Sequence, residues 1–298
     1  MSNEDPAVER PGPDADPSGA AQPTIIAGEE VQPTPESAPT PGPIRVPARH
    51  NPVLSELVRR VNGDAEVQAL WRCANVNAVD RLGLSDHGRT HVQIVANVGL
   101  KLLRLLVGAG LEPAIVRNHG LTVQDAEVVV VLAALFHDVG ICVHRDEHEH
   151  YSLWVAAPKL KELLTGLYDV GARTAVWSDT LHAIIAHNRD QRPITLEAGV
   201  VRVADALDMT RGRSRIPFEA GQINIHSVSA AAIDAVEIAP GADRPVQITI
   251  RMSNSAGIFQ VDELLKRKLR NSGLEPHVAV VATIAGEAER RLVPLFQL

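Results

Sequence analysis

The 298-residue chain has few cysteines, few aromatics and no excess of positive charge. Two cysteines, Cys73 and Cys142, supply neither a disulfide framework nor a CxxC metal motif, which points to a reducing compartment. With aromatics at 3%, the core must be filled by alanine, valine and leucine, and should be aliphatic and helical. The first residues hold no basic segment followed by an apolar one, so no secretory signal is expected. The strongest apolar run, Val128 to Phe136, is too short to span a bilayer. A formal charge of -7 argues against broad binding to a phosphate backbone. The expectation is a cytoplasmic protein with neither membrane nor nucleic acid as its partner.

Residues 1–48 are rich in proline, alanine and acidic side chains and lack apolar periodicity, as in "PGPDADPSGAAQPT". Such a segment cannot bury enough surface to offset its ordering entropy, so a disordered, solubilising tail is expected. From Asn51 the period turns helical: Leu54, Leu57, Val58 and Val61 share one face. Further helices are predicted over about 89–107, from Thr122 to the "HDVG" stretch, and over about 146–165, 174–188 and 195–209. Thr122 followed by Asp125 resembles a capping box. Beyond Ser214 the pattern changes. "QINIH", "AAIDAVEIAP", "RPVQITIRMS" and "HVAVVATIAG" read as strands, the middle two as a hairpin, with "GIFQVDELLKRKLRNSG" as an amphipathic helix. The predicted organisation is an all-α domain over 50–215 and a small α+β domain over 216–298.

Several polar groups interrupt the apolar helices. His137 and Asp138 end the run "LAALF". His91 lies in "SDHGRTHVQIV", His148 in "HRDEHEHYS", His187 in "HAIIAHNRD", and Asp205 breaks "AGVVRVADAL". Such groups are costly to bury unless they share partners or a cation. Imidazole nitrogens and carboxylate oxygens suit a divalent metal.

This set, in this order, resembles the HD-domain superfamily of metal-dependent phosphohydrolases. The resemblance covers roughly residues 80–215. It rests on "HVQIV", "LFHDVG", "HEHYS", "AIIAH" and "PITLEAGVVRVADALD". Within the superfamily the chain is most similar to a group with a small C-terminal α+β domain. The resemblance implies that His91, His137, Asp138 and Asp205 form a metal set. It also implies that His148 and His187 complete a second site bridged by Asp138, or orient phosphate around a single ion. His144 and His150 flank His148 and are alternatives to it. The family's arginine three residues after the first histidine is Ile94 here, a position that does not ligate.

The implied cofactor is one or two divalent ions, with Mn, Fe, Mg, Zn and Co all compatible. The implied substrate is a small phosphorylated molecule, plausibly a nucleotide, and a homodimer is compatible with the sequence. Asp138, His148 and His187 are the candidate catalytic groups, and no serine or cysteine nucleophile is required. Arg145, Arg211 and Arg213, with Lys159 and Arg215, are candidate phosphate contacts. Asp208 is a candidate partner of the metal set. His87 is read as a loop or substrate residue and His182 as a bystander. "LLKRKLR" at 264–270 is read as a solvated helix face. Two other readings remain open: a di-iron oxygenase of the same superfamily, and a non-catalytic nucleotide sensor or interaction protein.

Overall fold

The computed structural model describes residues 42–188, 190–210 and 225–284. All of them belong to one compact unit. At its centre lies α5 (Val123–Phe136), in which residues 128–136 are at most 1% exposed. A helix that is apolar on every side belongs in a core. Its start is fixed by the expected capping box. Thr122 Oγ1 accepts from the Asp125 backbone N–H, and Asp125 Oδ2 accepts from the Thr122 N–H at 2.8 Å.

Around α5 stand α1 (Pro52–Gly63), α2 (Ala65–Asn75), α3 (Arg89–Gly108), α4 (Ala114–His119), α6 (His148–Leu164), α7 (Val170–Ala186) and α8 (Leu196–Leu207). Their N-termini follow their sequences. Asn51 accepts from Leu54 N–H ahead of Pro52, Asp64 caps α2, and Thr195 caps α8. Asp169 caps α7 and starts it earlier than the apolar pattern suggested. The short helix α4 was not anticipated. Its first two amides, on Ala114 and Ile115, donate to the buried Glu197 carboxylate at 3.1 and 3.0 Å. Helix α3 is long and apolar enough to cross a membrane by length and composition, yet it packs against α5 and α8.

The expected tail boundary at residue 48 falls too late. Ile44 and Ala48 are 2% and 6% exposed, and the Asn62 carboxamide brackets the Ile44 backbone at 2.7 and 3.0 Å. The proline-rich context masked one apolar anchor.

After the helices come α9 (Ile225–Ala231), β1 (Ile233–Pro240), β2 (Val246–Met252), a helical stretch α10 (260–269) and β3 (Val278–Ile284). The expected hairpin forms: β1 and β2 pair antiparallel, with Ile238 opposite Ile248. The α10 crossover then brings β3 parallel to β2, with Val246 opposite Val278. Of the expected "QINIH" strand, Ile225 and His226 belong to α9, and residues 222–224 lie outside the described residues. Among the described residues the α+β region has no separate core. Ile233, Ile238, Val246, Ile248, Ile250 and Met252 join the cluster that contains the α3 and α8 side chains.

Candidate metal centre

The end of α5 explains the polar pair beyond it. A helix ending inside a core leaves carbonyls without partners. Here Leu135 O accepts from Trp71 Nε1–H at 2.8 Å, and Ala134 O takes the His137 Nδ1–H at 2.8 Å. His137 O accepts from the Ser152 hydroxyl at 2.6 Å. That hydroxyl also accepts from the Gly140 N–H at 2.8 Å, which ties the Val139–Cys142 turn to α6. Gly140 has no room for a side chain: a Cβ there would collide with the backbone of His148 and Ser152.

Helix α7 ends in the same way. His187 follows its last residue and donates Nδ1–H to Ile184 O at 2.5 Å. His91, in the first turn of α3, gives its Nδ1–H to Asp208 Oδ2 at 2.6 Å. With Nδ1 occupied in each ring, the Nε2 lone pairs of His91, His137 and His187 face inward.

Those nitrogens surround two carboxylates. Asp138 Oδ2 lies 3.3 Å from His91 Nε2 and 3.2 Å from His137 Nε2. Asp138 Oδ1 lies 3.0 Å from His148 Nε2 and 3.6 Å from His187 Nε2. Asp205 Oδ1 is 3.3 Å from His91 Nε2 and 3.6 Å from His137 Nε2. Its other oxygen pairs with the Lys268 ammonium of α10. All six sequence-predicted ligands therefore meet, and His137, Asp138, His148 and His187 are at most 6% exposed. The donor atoms form groups small enough to hold an ion: His91 with His137 and Asp138, His137 with His187 and Asp205, and Asp138 with His148 and His187.

The donor set demands a positive charge. His91 Nε2 and His137 Nε2 stand 3.2 Å apart, a separation satisfied by a proton shared between the rings or by a bound cation in its place. Burial disfavours charge on both carboxylates, but the imidazoles around Asp138, and Lys268 with imidazoles around Asp205, hold them well below the usual range. Burial also opposes charge on His137, yet the two aspartates outweigh it and lift this imidazole to about 9. His187, held further from the carboxylates, follows burial down to about 4. Two C-terminal helix ends, those of α5 and α7, add partial negative charge at the same point. Nitrogen and oxygen donors with this charge balance fit one or two divalent ions.

Among the three clustered histidines, the structure turns His148 inward and leaves His144 and His150 exposed. Arg145 lies beside the site, its guanidinium 2.7 Å from His148 Nδ1. Lys159 does not: it is tied to Asp64, Glu66 and Glu162 at 3.1, 2.5 and 2.8 Å, far along α6. Arg211, Arg213 and Arg215 lie outside the described residues. His87 is buried beside His91, with ring centroids 5.6 Å apart, and its Nδ1 lies 2.6 Å from Ser85 O. His182 accepts the Ile194 N–H at 3.1 Å. Sequence reasoning missed two residues. Glu149 lies 3.3 Å from His148 Nδ1 and is hidden in a string of charges. Lys268 sits in a helix that reads as solvated.

A helical body with this histidine–aspartate centre defines a class, and the chain belongs to the HD-domain superfamily, a family made up in general of metal-dependent hydrolases. The HD domain family model matches residues 90–210, the stretch that runs from the start of α3 to just past α8. The chain is similar to the uncharacterized protein MJ1020 of Methanocaldococcus jannaschii, 40% identical over 235 residues, or 79% of this chain and 89% of the relative. It is also similar to Ribonuclease Y of Desulforamulus reducens, 31% identical over 174 residues, which cover 56% of this chain and 30% of that protein. No solved structure shows significant similarity to the chain.

Proposed function

We propose that the protein hydrolyses a phosphate mono- or diester, with nucleotides as the substrate class, at a centre whose residues would hold two divalent ions, Asp138 facing both positions. One observation carries this reading: the two oxygens of Asp138 face different pairs of histidines, His91 with His137 and His148 with His187. His91, His137 and Asp205 would hold one ion, and His148 with His187 the other. Divalent ions held there lower the pKa of water toward neutrality and offset charge building on phosphoryl oxygens. The chain's own residues do the rest. Asp208 and the carbonyls of Ala134 and Ile184 fix the ring tautomers, and the apolar body of α5 keeps bulk water from one side. Arg145 is in reach of the His148 side and would bind a phosphate oxygen. A relative named as a ribonuclease, 31% identical over 174 residues, supports including diesters among the substrates.

The test is a panel of phosphomonoesters, diesters and nucleotides offered to the metal-replete protein. Phosphate or nucleoside monophosphate should be released, with hydrolysis lost in His137→Ala and kept in His87→Ala. Failure on the whole panel, with oxygen uptake by a two-iron form, would move the assignment to the oxygenase reading.

A further inference from the structure

We propose that Lys268 is a substrate-binding residue of this centre, an ammonium delivered by the C-terminal α+β region to hold a phosphoryl oxygen beside Asp205. The inference rests on the phosphohydrolase reading and adds a residue from outside the matched 90–210 stretch.

Three residues on one face of α8 dock α10 and the turn after it. Gly199 comes first: a Cβ there would collide with the Ser272 carbonyl oxygen, so only glycine permits the approach. One turn on, the buried Arg202 spreads its guanidinium between the Gln191 carbonyl, at 2.5 Å, and those of Arg267 and Arg270, both at 3.5 Å. One turn further, Asp205 meets Lys268. The carbonyls near Arg202 belong to the residue before Lys268 and to the second residue after it, so Arg202 contacts the backbone on both sides of Lys268.

Within "LLKRKLR" the cations divide. Lys266 and Arg267 are 54% and 52% exposed and pair with Asp262 and Glu263 one turn back, as a solvated face would. Lys268 is 19% exposed and turns inward. A pair that served stability alone would gain little here, since desolvating both charges cancels most of their attraction. The division of labour on Asp205 suits a working site instead. Its Oδ1 faces His91 and His137, the side a metal would take, and its Oδ2 faces Lys268. Metal and ammonium can therefore occupy the carboxylate together. An ammonium has three donors, and one carboxylate oxygen engages one of them. A phosphate reaching the metal from the Asp205 side would meet this charge, where developing negative charge needs a fixed cation.

Calorimetry on the full chain tests this with Mn²⁺ and orthophosphate as probes. Lys268→Met should weaken orthophosphate binding to the Mn-loaded protein by about tenfold or more, the loss of one charge-assisted hydrogen bond. Lys268→Arg should restore it to within a few-fold. Mn²⁺ affinity of the metal-free protein should stay within a few-fold in both. Unchanged phosphate binding in Lys268→Met overturns the proposal and leaves the phosphohydrolase reading standing. Tighter Mn²⁺ binding in Lys268→Met also overturns it, since Lys268 would then be a competitor of the metal. A wild-type protein that takes Mn²⁺ but no orthophosphate overturns both.

Discussion

At the scale of single residues, the centre depends on which way each imidazole is turned. His91 presents Nε2 inward because Asp208 takes its other nitrogen at 2.6 Å. Carboxylates that orient a ligating histidine are worth roughly 10–100-fold in metal affinity. Asp208→Asn is therefore expected to lower divalent-ion affinity by about that range while the fold persists, as read by metal titration alongside circular dichroism. Affinity equal to wild type would mean that His91 holds its orientation without Asp208. Most of this site was legible in the sequence, because polar residues that break an apolar helix must be compensated. His137, Asp138 and Asp205 stood out for that reason. What periodicity could not resolve was "HRDEHEH", where three histidines crowd around the start of α6. The Gly140 contact fixes that start and selects His148. Lys268 was illegible because its neighbours on α10 are exposed and paired.

Helices place these groups by how they end. Ser152 is the clearest case: it lies one turn after His148 on α6 and bridges His137 O and the Gly140 N–H. The "HEHYS" pattern thus reads as a ligand followed by the clamp that holds the other half of the site. Ser152→Ala leaves a buried carbonyl and a buried amide without partners, at a cost of roughly 1–3 kcal/mol for each group so exposed. The expected outcome is a clear drop in denaturation midpoint and weaker metal binding, both measurable on the purified variant. A midpoint and metal affinity equal to wild type would remove the clamp from the description. At this scale the helices were largely legible, since apolar spacing and caps such as Thr122 and Asp64 are local signals. The short α4 and the helical conformation of Ile225 and His226 were not. Six residues carry too little periodicity, and "INI" satisfies a strand pattern as well as a helix.

Across the whole molecule, the α+β region is joined to the helical body by a shared core and by the Gly199–Arg202–Asp205 face of α8. Sequence reasoning found the change of period after residue 214 but assigned it a separate domain, because periodicity reports what an element buries and not against what. One consequence of the docking is that a residue beyond the HD match reaches the metal centre. The central claim is that the residues around Asp138 would hold two ions, one at His91, His137 and Asp205 and the other at His148 and His187. Metal content per chain tests it most directly, measured by elemental analysis of wild type and of a His148→Ala, His187→Ala variant after reconstitution with excess divalent ion. Two ions per chain in the wild type and one in the variant are expected. A single ion in both would contradict the two-ion centre.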